Sequence, residues 1–258
     1  MIQIFKESIL KLIKLNVAKR LMLAHLNDLK KIGFEFNGRR HEYFFHSYNN
    51  IFHSYISERS IEIPIIKYII KQTKAENILE IGNVCQHYYD TFKTVDRAIV
   101  DKYETAFDVI NEDIVEFKDN TKFDLIYSIS TFEHMDSDRG RNPDYASVEK
   151  GKYSSVAFYN LAYVAEHLLA ESGKIVLTFP LGYGACEIDQ SVKKQEWELM
   201  NLSASFVIYR RKGLSCWEQV PYDVVKDYTE SINQNYREII MILELSCSQN
   251  ASTNFYTK

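Results

Sequence analysis

The sequence predicts an α/β protein built on an open, mostly parallel sheet. Three observations carry this. Short apolar runs alternate with helical or loop segments between residues 77 and 180. One of them, FDLIYSIS at 123–130, is almost continuously apolar, as a parallel strand covered on both faces must be. The first two runs, at 78–81 and 97–100, lie about twenty residues apart and each presents a carboxylate at its carboxyl end, Glu80 and Asp101.

Residues 1–32 read as one or two helices, with apolar Ile2, Phe5, Ile9, Ile13 and Leu21 at roughly helical spacing. Residues 34–60 are aromatic and polar without a period, and are expected to wrap the core irregularly or cover a pocket. A helix follows over 62–72, with Pro64 in its first turn, where a missing N–H costs nothing. The first strand is 78–81, followed after Gly82 by a short irregular helix or loop; the second is 97–100 and a short third falls at 109–110. The fourth, 123–130, leads to a polar connection over 136–153 and a helix over 155–169 that carries Val156, Tyr159, Leu161, Val164 and Leu168, with Gly173 as its C-cap. The fifth strand is 174–179, residues 181–202 have weak helical character, and the last strands are 204–209 and 238–245. The expected domains are an N-terminal helical and aromatic extension at 1–60, the main domain at 61–246 and a polar, fraying tail at 247–258.

The 258 residues carry 46% hydrophobic and 26% charged side chains and a formal charge of −4, which gives no global attraction to nucleic acid. The four cysteines, Cys85, Cys186, Cys216 and Cys247, form no Cys-x-x-Cys pair, so neither zinc nor a disulfide framework is expected and a reducing cytoplasm is. No apolar run is long enough to span a bilayer. Residues 1–32 hold seven cations against two acids, a net +5. Such a helix either lies peripherally on an anionic membrane or packs on its own protein with a solvated basic face; the second reading is preferred.

Candidate chemistry concentrates at the strand ends. Open α/β sheets bind ligands beyond the carboxyl ends of their strands. Gly82 lets backbone approach a ligand closely. Asp101 is placed to accept two ribose hydroxyls, and Asp113 an exocyclic adenine amine. Glu80 is unsuited to a pyrophosphate but suited to an ammonium group, which favours a cofactor with an amino-acid end.

These pieces resemble the class I S-adenosylmethionine-dependent methyltransferases. The matching blocks are ILEIG (78–82), IVDK (99–102), NEDI (111–114), FDLIYSISTFEHM (123–135) and LLAESGKIVLTFP (168–180), in the family's order. The family's Glu-x-Gly-x-Gly-x-Gly is half kept: Val84 and Gln86 stand where the later glycines would be. The resemblance implies a Rossmann-like seven-stranded sheet with helices on both faces and residues 204–245 supplying its last antiparallel pair. It implies S-adenosyl-L-methionine as cofactor, with Glu80 and Gly82 beside the methionine moiety, Asn83 or Gln86 adding a side-chain hydrogen bond, and Asp101 on the ribose. Asp113 would contact adenine; Lys102 and Ile114, the neighbours of these acids in the matched blocks, join the cofactor set, and Ser128 to Ser130 would floor the sulfonium.

In this fold Glu133 and His134 lie at the substrate mouth. His134 is either a general base, an imidazole having an ordinary pKa of about 6.5, or a helix-capping partner with Glu133. Ser130 stands where some metal-using relatives add an acid, so no metal is expected. Arg139 and Arg141 either hold an anionic acceptor or sit in a solvated loop; Tyr183 and Trp217 either wall the pocket or pack. The implied activity is methyl transfer to a hydroxyl of a small molecule or glycan; the alternative is a degenerate fold acting as a binding or scaffold subunit.

Overall fold

A computed structural model describes residues 33–44, 57–88, 92–135, 152–181, 188–212, 216–225 and 239–247. The expected helices of residues 1–32, most of the 136–153 connection with Arg139 and Arg141, Tyr183 and the tail from residue 248 lie outside the described residues. The chain divides into two units: residues 1–64 with 211–218, and residues 65–210 with 219–258.

In the first unit the segment expected to be irregular opens with a hairpin. Strands β1 (Phe34–Phe36) and β2 (Arg39–His41) pair antiparallel around Asn37 and Gly38, at φ 51° and 66°. Two adjacent positive φ values are what a two-residue hairpin turn of this twist requires, and Asn-Gly supplies them with least strain. The Phe34 ring stacks on His41 at 5.6 Å and lies 5.5 Å from Tyr43. Tyr43 is buried and its hydroxyl accepts the backbone N–H of Trp217 at 2.9 Å, so Trp217 packs within this unit. Helix α1 (Arg59–Thr73) begins three residues earlier than expected, which puts Pro64 in its second turn. There the missing proline N–H leaves the Ser60 carbonyl without its helical donor. The Phe44 N–H fills the gap at 2.9 Å.

The second unit holds the sheet. Its strands are β3 (Ile78–Ile81), β4 (Ala98–Val100), β5 (Phe123–Ile129), β6 (Leu169–Pro180), β7 (Leu202–Lys212), β8 (Cys216–Val220) and β9 (Ile239–Cys247). The order is β4-β3-β5-β6-β9-β7-β8, with β3, β4, β5 and β6 parallel and β9 antiparallel to both β6 and β7. The end of β7 and the start of β8 count with the first unit. This is the Rossmann-like, seven-stranded sheet expected from the sequence, although its seventh strand comes from elsewhere. The expected third strand is a single parallel bridge, Val100 to Ile110. The chain turns at Asp108, φ 64°, and the Asn111 amide then bonds the carbonyls of Asp101 and Lys102, ending the extended run. The seventh strand is β8, where the sequence reading placed no element.

Right-handed crossovers put the β3–β4 connection on one face and the β5–β6 connection on the other. The latter contains α2 (Phe132–Met135) and α3 (Val156–His167). Ser155 caps α3 by accepting the Phe158 N–H at 3.1 Å, and Phe158, Leu161 and Val164 pack with Ile126, Ile175 and Leu177 in the core. The helix stops at His167, with Leu168 as C-cap. Gly173 is therefore not its cap. It lies inside β6, where the pairing with β5 slips between Phe123 and Leu125, and a Cβ there would stand 2.8 Å from the Phe123 carbonyl oxygen. Close backbone approach, not a left-handed turn, calls for glycine. The 181–202 connection contains α4 (Ile188–Lys193) and a 3₁₀ turn at Glu196–Met200, and α5 (Tyr222–Val225) follows β8.

Candidate functional site

The strand order reverses at β3: the chain moves from β3 to β4 on one side, then crosses to β5 on the other. Such a switch leaves a crevice at the carboxyl ends of the strands. A cleft of about 540 Å³, counting its open mouth, occupies this place. Ile81, Val100, Ile114 and Met135 make its apolar wall; Gly82, Asp101, Lys102, Asp113, Thr131, His134 and Asn160 bring the polar groups. Six of the residues expected at the site thus share one cavity: Gly82, Asp101, Lys102, Asp113, Ile114 and His134.

Gly82 turns the chain out of β3 at φ 85°, and a Cβ there would run into Thr131, within 2.6 Å of its Cγ2. The turn is closed to any side chain, and backbone lines this part of the cleft. Asp101 leaves β4 and organises two loops. Its Oδ2 accepts the Asn83 N–H at 2.9 Å, and its Oδ1 accepts the N–H groups of Tyr103 and Glu104 at 2.9 and 2.8 Å. A carboxylate offers about four acceptor sites, so one remains for a ligand hydroxyl where two were expected to serve the ribose. Asp113 is paired with Lys102 at 3.0 Å, and its Oδ1 accepts the Val115 N–H at 3.3 Å. Ile114 is buried beneath them.

No family model matches the chain, and no curated protein matches it. Solved structures do. A SAM-dependent methyltransferase from Archaeoglobus fulgidus aligns at 12% identity over 72% of this chain and 95% of its own, with a TM-score of 0.42. N-methyltransferase NodS from Bradyrhizobium japonicum, in complex with S-adenosyl-L-homocysteine, aligns at 14% over 73% and 91%, TM-score 0.39. The O-methyltransferase of a trans-AT PKS multienzyme from Brevibacillus brevis aligns at 10% over 72% and 72%, TM-score 0.41. These superpositions are loose; what the cleft can hold follows from its own residues.

Glu80 lies elsewhere than its expected role requires. It is fully buried beneath the β3–β4 loop, and its carboxylate accepts the Cys85 N–H at 2.6 Å, Arg97 Nε at 2.6 Å and the Tyr127 hydroxyl at 2.9 Å. It is not in the lining of the cleft, and its charge is answered by Arg97, whose side chain is 9% exposed. The cluster perturbs its members. Burial and the nearby Glu80 charge push the Cys85 thiol well up, and burial with the Cys85 and Glu80 charges does the same to Tyr127. For Arg97, burial opposes the cation, but Tyr127 and Glu80 outweigh it and its pKa rises.

Asn83 is buried beside the cleft rather than in its lining: its Nδ2 donates to Gln86 Oε1 at 2.6 Å and its Oδ1 has no partner among the described residues. Ser128 and Ser130 are also buried beneath the surface. The Ser128 hydroxyl donates to the Ile81 carbonyl at 2.7 Å, and the Ser130 N–H to the Thr178 carbonyl at 2.8 Å. They tie β5 to its neighbours instead of flooring the cavity. Ser130, at φ 40°, turns the chain so that Thr131 and His134 face the cleft.

Glu133 is buried, while His134 is half exposed, with its Nε2 3.7 Å from the Glu133 carboxylate. At that distance the two groups make an ion-pair contact rather than a hydrogen bond, and the imidazole belongs to the cavity lining. Trp217, one of the wall candidates, is not in the lining. Among the described residues no group of three or more His, Cys, Asp and Glu side chains is placed to hold a metal. Sequence reasoning missed Asn160. The signal was present: Val156, Asn160 and Val164 form one i, i+4 row of α3, and an amide in an otherwise buried apolar row needs a polar partner.

Together the glycine turn, the acceptors and the apolar wall fit the adenosyl half of an S-adenosylmethionine-type ligand. The carboxylate expected for its amino-acid half is committed to Arg97.

Proposed function

We propose that this chain is a methyltransferase that binds S-adenosyl-L-methionine in the cleft beyond β3, β4 and β5 and methylates a hydroxyl of a small molecule or glycan. The observation that carries this reading is the convergence on one cavity at the switch point of Gly82 after β3, Asp101 after β4, Asp113 and Ile114 after the Val100–Ile110 bridge, and His134 after β5. The remaining acceptor site of Asp101 takes a ribose hydroxyl, Ile81, Val100 and Ile114 cover apolar ligand surface, and Gly82 lets the ligand lie against backbone. When bound, the cofactor supplies an electrophilic methyl group on its sulfonium, which needs positioning more than activation. His134 would take the proton of the acceptor hydroxyl as that oxygen accepts the methyl group and the sulfonium C–S bond breaks to leave a neutral thioether.

A second reading is favoured by the loop that replaces the glycines. Gln86 Nε2 donates to the Phe107 carbonyl at 2.7 Å, and Glu80 is spent on Arg97. A protein with these features can hold an adenosyl ligand as a binding or scaffold subunit without turnover. Calorimetric titration with S-adenosylmethionine and S-adenosylhomocysteine separates the cases. Micromolar binding supports the cofactor assignment, and no heat at high micromolar ligand removes it. Binding unchanged by Asp101→Ala removes the ribose placement. For the base role, a pH–rate profile that His134→Ala leaves unaltered is the decisive negative.

A further inference from the structure

The geometry points to Asn160, not Asp113, as the residue that reads the exocyclic amine of an adenine ring in this cleft; the inference rests on the adenosyl-ligand reading above. Asn160 lines the cavity from α3 and is 1% exposed. Its Nδ2 donates to Met135 Sδ at 3.3 Å, while its Oδ1 is buried with no hydrogen-bond partner among the described residues. The sulfur fixes the orientation of the amide: a thioether only accepts, so Nδ2 faces it and Oδ1 faces away. Turned by 180°, the amide would set its oxygen against the sulfur lone pairs and lose that bond.

A desolvated carbonyl without a donor is unfavourable until a donor arrives. The two aspartates expected to face the adenosine are better served. Asp113 has its charge balanced by Lys102 at 3.0 Å and takes the Val115 N–H, and Asp101 holds three backbone N–H groups. Asn160 therefore gains more than either aspartate from a ligand N–H. A neutral amide in a cavity that Ile114 and Met135 also line suits the edge of a flat, apolar-faced heterocycle bearing an amino group. An adenine amine meets this requirement; the keto oxygen of hypoxanthine at the same ring position would face Oδ1 acceptor to acceptor.

The test is calorimetric titration of the full chain with S-adenosylhomocysteine and with its deaminated counterpart, S-inosylhomocysteine. The wild type is expected to bind the adenine form at least roughly 10-fold more tightly. Asn160→Leu is expected to bring the two affinities within about 3-fold of each other by removing the acceptor, and Asp113→Asn to preserve the wild-type ratio. The ratio is the readout because a variant that merely loosens the fold weakens both ligands alike. Met135→Leu, which keeps core volume, is a second variant that serves if Asn160→Leu does not fold. With the sulfur gone the amide can turn its Nδ2 to the keto oxygen, and the ratio is expected to fall. A ratio kept by both Asn160→Leu and Met135→Leu, or lost only in Asp113→Asn, overturns the assignment and leaves the cofactor reading standing. A wild type that binds neither ligand overturns both.

Discussion

Gln86 stretches from the loop after β3 to the loop after β4, where its Nε2 donates to the Phe107 carbonyl at 2.7 Å. The same side chain accepts from Asn83 Nδ2 at 2.6 Å, and His87 reaches Glu104 at 3.3 Å alongside. A position that the resembling family gives to glycine thus carries a latch between the two loops flanking the cleft. Gln86→Gly is expected to lower stability by about 1–2 kcal/mol through two lost hydrogen bonds and added chain entropy. It should also speed proteolytic cleavage in residues 102–108. Chemical denaturation and limited proteolysis check this; an unchanged cleavage rate would show that the latch does not order the β4 loop.

At Gly82 the neighbouring side chain sets the constraint. The positive φ and the Thr131 side chain act together, so Gly82→Ala is expected to destabilise by about 2–4 kcal/mol. In Gly82→Ala/Thr131→Gly the clash is gone and the left-handed backbone penalty, about 1 kcal/mol, remains. Thermal unfolding of the two variants separates the terms. By contrast a Cβ at Gly38 meets nothing within 4 Å, and Gly38→Ala should show only the backbone part.

What was legible followed from burial. Ile78–Ile81 was read to the residue because all four side chains are buried and nothing else suits such a run. The β1–β2 hairpin was missed although Asn37-Gly38 spells its turn, because the aromatic composition of 34–60 masked the local signal. Gly173 was misassigned because glycine answers two needs, a left-handed cap and a close approach, and only the slipped β5–β6 register tells which. Glu80 is expected beside a ligand, and the structure pairs it with Arg97. Its pairing with Arg97 depends on how β3 lies beside β4, Glu80 opposite Ile99, and register is not written in either strand alone.

The Glu80–Arg97 pair joins a fully buried carboxylate to a guanidinium whose side chain is 9% exposed, so breaking it by halves is more damaging than removing it whole. Glu80→Gln leaves a guanidinium without its counter-charge and is expected to cost about 3–5 kcal/mol. Arg97→Met leaves Glu80 with the Cys85 N–H and the Tyr127 hydroxyl and should be comparably destabilised. The double variant Glu80→Gln/Arg97→Met should be less destabilised than the sum of the singles. Additive losses in a double-mutant cycle would mean that the two groups do not act as a unit.

The same cluster sets an alkaline limit on stability. Cys85 and Tyr127 are acids whose folded pKa values are raised, by burial first, then for the thiol by Glu80 and for the phenol by Cys85 and Glu80. In the unfolded chain the thiol ionises near pH 8.5 and the phenol near 10. Between those values and the higher folded ones, the unfolded state binds fewer protons, so stability falls as pH rises. Full stability from these groups is present below about pH 8, is lost first through the thiol, and then more steeply above about pH 10 through the phenol. Denaturant midpoints measured from pH 7 to 10.5 should trace this decline, and Cys85→Ala should flatten its first part between about pH 8.5 and 10 while the second, which burial of Tyr127 sets first, persists. For the same reason a thiol reagent at pH 8 should modify Cys85 only at the rate of global unfolding, because the reactive thiolate is the form the buried site excludes.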